Sequence, residues 1–228
     1  MDRMKISDTP FDSNASDQVL KFLLSHRIIN KKGNLKDFVV RQMAGKDVLD
    51  IGACEHDLEH MNERSDWLHG KICAVAKSCK GVDILPKLVD KLNAEGYDFV
   101  LTDATSDTYL GKKFDVVNIG DVIEHVDDPV RLLKFAKRHL KKGGEIFVAT
   151  PNPFFIKTIM LLFTQGTVVA NLEHVSWVTP SLALEISRRA GVKLDRYYVS
   201  HPNSPLKKYL LWFLPMELKG AVFLYVFK

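Results

Sequence analysis

The chain has 228 residues, 46% of them hydrophobic and 26% charged, with a formal net charge of +4. That balance fits one soluble α/β domain with a full core and argues against a disordered or fibrous chain. Acidic and basic residues are interspersed, so no basic tract points to a nucleic-acid partner, and the most apolar stretch, Phe154 to Phe163, carries Lys157 and falls short of the ~20 residues a spanning helix needs.

In chain order, Met1 to Asp17 lacks apolar periodicity and reads as an arm. From Gln18 to Ala44, Leu20, Leu23, Leu24, Ile28, Phe38, Val39 and Met43 fall at helical spacings, broken by Lys32-Gly33-Asn34, so two helices are expected as a cover over residues 1–45. Val48-Leu49-Asp50-Ile51-Gly52 is a buried strand that runs through an acidic residue into a tight turn. His56 to Ala76 reads as mostly helical, and Gly81-Val82-Asp83-Ile84 is a second strand ending in a carboxylate. Two such strands suggest a cofactor that contains a nucleoside, because a strand-end acid can accept both hydrogen bonds of a ribose diol.

Pro86 to Gly96 completes a helix; Phe99 to Asp103 and Phe114 to Ile119 are the next strands, the latter ending at Gly120-Asp121. Asp128 and Pro129 open a helix with Leu132, Leu133, Ala136 and Leu140 on one face, Lys141 and Lys142 near its end and Gly143 as its stop. Glu145 to Thr150 is the fifth strand, Thr179-Pro180 to Gly191 a helix, and Val192 to Val199 and Ala221 to Phe227 are strand-like. Alternating strands and helices predict a doubly wound parallel sheet. Ser200 to Gly220 is too rich in Pro, Lys and aromatics for an ordinary crossover, so the last strand is expected to return antiparallel.

These residues carry a family resemblance. Val48 to Gly52, Gly81 to Ile84, Asp103-Ala104, the run Phe114 to His125, and Leu140 to Gly144 before Thr150-Pro151-Asn152-Pro153 resemble, in order and spacing, the motifs of class I S-adenosylmethionine-dependent methyltransferases. The resemblance implies a seven-stranded, mostly parallel sheet with the last strand antiparallel, a domain over residues 46–228, and acceptor-side insertions near 153–178 and 200–220. It also implies S-adenosylmethionine as cofactor. Ile123-Glu124-His125 and His174 to Pro180 are similar to the branch acting on small molecules, quinones and sugars. Where the family commonly has two further glycines after Gly52, this chain has Cys54 and His56.

Asp50, Gly52, Asp83, Ile84, Asp103, Ala104, Gly120 and Asp121 are the expected cofactor residues. Asp83 is read as the ribose ligand over a plain helix cap; Asp103 stays open between an acceptor for an adenine amino group and a loop cap, and Asp121 between cofactor contact and loop structure. His125 and His174 are the expected catalytic pair, one of them removing the proton of an acceptor hydroxyl. Cys54, His56 and His60 do not match a recurring zinc spacing, so no metal is expected, and Cys73 and Cys79 are read as small apolar residues.

The expected acceptor is a small-molecule or glycan hydroxyl, with an amine second. Alternatives are a nucleic-acid methyltransferase, against which the absence of an Asn/Asp-Pro-Pro-aromatic turn after the fourth strand counts, and a non-catalytic module that binds the cofactor. Three cysteines and no signal-peptide pattern point to a reducing cytoplasm. Phe154 to Phe163 and Pro205 to Pro215 suggest peripheral contact with a membrane, or a homodimer interface.

Overall fold

The computed structural model describes residues 13–30, 34–54, 66–200 and 213–228. The helices are α1 (Ser13–His26), α2 (Leu35–Met43), α3 (Leu68–Val75), α4 (Pro86–Ala94), α5 (Pro129–Arg138), α6 (Ile156–Gln165) and α7 (Pro180–Ala190). The strands are β1 (Arg27–Asn30), β2 (Asp47–Ile51), β3 (Ser78–Asp83), β4 (Phe99–Leu101), β5 (Phe114–Gly120), β6 (Leu140–Pro151), β7 (Leu194–Ser200) and β8 (Val222–Phe227). They form one eight-stranded sheet in the order β1-β7-β8-β6-β5-β2-β3-β4. All neighbours run parallel except β8, which is antiparallel to both β6 and β7.

Strand alternation divides the core. Leu49, Ile51, Val117, Ile119, Phe223 and Tyr225 face one layer, where Phe22 of α1, Leu132, Leu133 and Phe135 of α5 and Leu184 and Ile186 of α7 pack on them. Their neighbours Val48, Val116, Leu224 and Val226 face the other, against Leu35, Val39 and Met43 of α2 and Ile72 of α3. Every residue of β2 is buried, as a strand covered on both faces should be. Because the chain goes from β2 outward through β3 and β4 and then back to β5 on the opposite side of β2, the order reverses at β2. A crevice is expected at such a switch point, beyond the carboxyl ends of β2 and β5.

Helix boundaries follow local chemistry. Asp128 caps α5 by accepting from Arg131 N at 3.0 Å, Thr179 caps α7 by accepting from Leu182 N at 3.4 Å, and Gly191 closes α7 at φ 71°. Two expectations need correction. The sheet has eight strands, not seven, because Arg27–Asn30, read as helical through Ile28, pairs in parallel with Tyr197–Ser200 and extends the sheet past β7. The N-terminal segment thus supplies a strand as well as helical cover. α5 also ends at Arg138, before Lys141 and Gly143. His139 is buried there, its Nδ1 on Phe135 O at 2.9 Å and its Nε2 accepting from Leu110 N at 3.0 Å, while Leu140 already pairs with Phe114. Lys141 reaches instead to Asp47 at 2.7 Å and Asp115 at 2.9 Å, tying together the starts of three strands.

Phe135 has no exposed surface whereas Phe163, on α6, is 80% exposed. Phe135→Ala should lower the free energy of unfolding in urea by about 3–5 kcal/mol, and Phe163→Ala should leave it within about 0.5 kcal/mol.

Candidate functional site

The turn after β2 is fixed by backbone geometry. Gly52 takes φ 68°, and a β-carbon there would lie 2.1 Å from Val122 Cγ2, so a side chain is excluded by conformation and by space. Gly52 N donates to Val82 O at 2.8 Å, carrying the β2–β3 pairing one residue into the turn. Asp83, at the end of β3, then gathers the loops: its Oδ2 accepts from Cys54 N at 2.9 Å, and its Oδ1 from Ile84 N at 2.8 Å and Leu85 N at 3.2 Å. The carboxylate is buried, and burial together with the charge of Asp83 pushes the Cys54 thiol well above its ordinary pKa. Cys54 is therefore a neutral side chain at this turn. His56 and His60 lie outside the described residues.

Around this turn lie two adjoining cavities that share Gly52. The larger, about 470 Å³, is lined by Gly52, Asp83, Ile84, Asp103, Ala104 and His125, within the ~300–1,000 Å³ usual for small-molecule sites. The smaller, about 160 Å³, is lined by Asp50, Gly52, Cys54, Trp67, Gly120 and Asp121. The structure thus brings together all eight residues expected at a cofactor, with different roles. Asp50 is buried, with its Oδ2 on His69 Nδ1 at 2.8 Å and its Oδ1 accepting from Asn118 Nδ2 at 2.7 Å, so it acts on the turn through its neighbours. Asp103 accepts from Thr105 N at 2.7 Å and Thr105 Oγ1 at 2.8 Å, which is the loop-cap arrangement, on the wall of the larger cavity. Asp121 stands at φ 51°, the one non-glycine left-handed residue among those described.

These residues fit a nucleoside-bearing cofactor. Asp83 lines the larger cavity as a buried carboxylate that accepts from three loop N–H groups and from the Cys54 thiol, which fixes its position on that wall. Ile84 is 65% exposed on the same wall, an apolar face suited to a flat ring. Gly52 lets Val122 pack directly on the turn, and both line the larger cavity.

At the outer end, His125 and His174 pack edge to face with ring centroids 4.6 Å apart. The loop that carries His174 is held by Val175 N and Ser176 N, both donating to Glu124 O. The Glu124 side chain is buried beneath; its Oε2 accepts from Thr150 Oγ1 at 3.0 Å, and its Oε1 has no hydrogen-bond partner among the described residues. One donor atom from each of Glu124, His125 and His174 lies within 4.8 Å of the others. Burial, with the charge of Asp121 adding to it, pushes the Glu124 carboxyl up to about 7. Burial and then the neighbouring His125 hold His174 below the ordinary histidine value. Sequence reasoning singled out the two histidines as the catalytic pair and gave Glu124 no role; its signal was an acid directly before His125, four residues past the end of β5.

Asp83→Ala should release three backbone N–H groups as well as a charge. Urea unfolding should show a loss of at least about 1.5–3 kcal/mol, the worth of one hydrogen bond to a charged group. Unchanged stability would mean that the loops do not depend on this carboxylate.

With this geometry in place, comparison with known proteins gives a consistent result. The profile of a family described as a methyltransferase domain matches residues 24–196. The ubiquinone biosynthesis O-methyltransferase of Acinetobacter baylyi is 26% identical over 222 residues, covering 87% of this chain and 84% of that protein. The enzyme of the same name from Coxiella burnetii is 26% identical over 164 residues, covering 67% and 65%. Among solved structures, an S-adenosylmethionine-dependent methyltransferase from Mesorhizobium loti superposes with a TM-score of 0.55 at 17% identity, covering 86% of this chain and 98% of that one. A second, from Archaeoglobus fulgidus, gives 0.53 at 19% identity, covering 85% and 94%. The chain belongs to the methyltransferase domain family and has the fold of the class I S-adenosylmethionine-dependent methyltransferases.

Proposed function

We propose that the chain transfers a methyl group from S-adenosylmethionine to a hydroxyl of an apolar, lipid-like small molecule, with Glu124, His125 and His174 receiving the hydroxyl proton. When bound, S-adenosylmethionine supplies a methyl group already activated by its sulfonium centre. Asp83 and Ile84 are the residues to hold its ribose and adenine, beside the turn that Gly52 makes. What remains for the chain is positioning and proton removal.

The observation that carries this reading is the convergence of a buried carboxylate and two imidazoles beside the cavity, with one carboxylate oxygen left unpartnered. A hydroxyl directed there meets a carboxyl that burial pushes up to about 7 and an imidazole, His174, that burial holds below the ordinary histidine value, which suits a general base. The name of the Acinetobacter relative, an O-methyltransferase of ubiquinone biosynthesis, supports an oxygen acceptor on an apolar molecule.

The apolar character of the acceptor side supports the lipid-like part. α6 follows the end of β6, has no buried residue, and exposes Met160, Leu162 and Phe163; Val169, Leu172 and Val175 continue the surface toward His174. No helix among the described residues is long and apolar enough to cross a membrane, so contact through this face would be peripheral. The second expected contact segment, Pro205 to Pro215, falls outside the described residues up to position 212.

A base works only when deprotonated, so turnover should be low in acid and rise through about pH 7 to a plateau. Labelled methyl transfer to a panel of phenols, quinols, sugars and amines, read by mass spectrometry, should favour the hydroxylated apolar compounds. His174→Ala and Glu124→Gln should each lower the turnover number by about 10²–10⁴-fold. A flat profile between pH 5.5 and 8, with full activity in both variants, would remove the proton-accepting role. Co-sedimentation with anionic liposomes should be lost in a Leu162→Asp, Phe163→Asp variant; a wild-type chain that stays in the supernatant would remove the membrane contact.

A further inference from the structure

A second group of metal-type donors lies behind the smaller cavity, and the proposed reaction does not use it. His69 and Cys73 are four residues apart on α3, which places them on one face, and Cys79 is the second residue of the adjacent strand β3. One donor atom from each lies within 4.8 Å of the others, and Cys79 Sγ is 3.9 Å from His69 Nε2. From the usual bond lengths, the donors around a tetrahedral zinc ion are roughly 3.5–3.8 Å apart, so closing on an ion would take shifts of about 1 Å or less.

We propose that His69, Cys73 and Cys79 form a site for a soft divalent cation of the zinc class, with Asp50 as the carboxylate that orients the histidine. Asp50 Oδ2 lies 2.8 Å from His69 Nδ1, and Cys79 Sγ lies 3.8 and 3.9 Å from Nδ1 and Nε2; with Nδ1 donating to the carboxylate, Nε2 is the nitrogen that a cation would take in place of a proton. That carboxylate–histidine arrangement is the recurring support of a zinc-bound imidazole. Asp50 is in turn fixed by Asn118, and the rings of Trp67 and Phe99 pack on His69 at 5.2 and 4.7 Å between centroids, so the ligand is held in one orientation. Two thiols and an imidazole select soft cations over magnesium or calcium. Both cysteines are half-buried and His69 is buried. The cation would fasten α3 to β3 and, through Asp50, to the strand that feeds the Gly52 turn.

The proposed site departs from the expectation of no metal. Sequence spacing drew attention to Cys54, His56 and His60, whereas the present group is assembled by a helix packing on a strand. Cys73 and Cys79 read alone as small apolar residues.

Cobalt is the probe, added to the full-length chain kept reduced and freed of metal by a chelator. One equivalent should give thiolate-to-cobalt charge-transfer absorption in the near ultraviolet and tetrahedral bands in the visible, and zinc should displace it. The Cys73→Ser, Cys79→Ser double variant should lose the thiolate band, while Cys54→Ser should keep it. Asp50→Asn, which preserves size and removes the orienting charge, should weaken cobalt binding by about 10–100-fold. Zinc should raise the midpoint of thermal unfolding in the wild type and not in the double-serine chain. Absence of the thiolate band in the reduced wild type, or its persistence in a folded double-serine variant, would overturn the proposal; cobalt held by Glu124, His125 and His174 would bind without that band.

Discussion

The carboxylate of Asp83 is the constraint on which the cofactor end of the molecule depends. It is buried at the end of β3, where an unpaired charge would be strongly disfavoured, and it is satisfied by three N–H groups drawn from two separate turns. One of those turns follows β2 and the other leads into α4. Gly52 N and Ala53 N, both donating to Val82 O, join the first turn to β3, and Asp83 adds the link from Cys54 in that turn to the start of α4. The pairing of β2 with β3 places Asp83 here, so sheet register and site geometry are one constraint.

Two strand-end acids thus serve different ends. Asp83 is bonded to loop backbone and to the Cys54 thiol, on the wall of the larger cavity. Asp50, one strand away and equally buried, is committed to side chains, His69 from α3 and Asn118 from β5. It locks a helix and two strands across the switch point and supports the site from behind. The difference arises from register: Asp50 sits one residue inside the end of β2, among neighbours, whereas Asp83 is the last residue of β3 and reaches the loops.

Sequence reading recovered the features that rest on local chemistry. β2, β3, β5 and α5 were legible from apolar runs and a capping Asp-Pro, and the antiparallel return of β8 from the composition of the connection before it. β1 was not, because a four-residue strand after a helix continues the helical spacing through Ile28 and only its pairing with β7 distinguishes it. The start of β6 was hidden for the opposite reason: Lys141, Lys142 and Gly143 have the composition of a helix end, yet long-range pairing and the ion pairs of Lys141 decide the local structure. At the site, glycine and strand-end acids were readable, since each has a strict local meaning. Glu124 and the His69–Cys73–Cys79 group were not, because their chemistry depends on burial and on elements packed together, which spacing along the chain does not encode.

The central claim is that the cavity between Gly52 and Asp83 holds S-adenosylmethionine, and calorimetric titration of the cofactor into wild-type and Asp83→Asn protein tests it most directly. Asparagine keeps one acceptor oxygen, enough for Ile84 and Leu85 N–H, and removes the charge, while its amide NH2 faces Cys54 N–H; the unfolding transition of the variant is therefore measured first, and affinity is compared in the folded chain. The account predicts one cofactor per chain in the wild type and at least about a tenfold weaker affinity in the variant, the consequence of losing about 1.4 kcal/mol or more of a charged hydrogen bond. No binding to the wild type, or equal affinity in a folded Asp83→Asn chain, would contradict it.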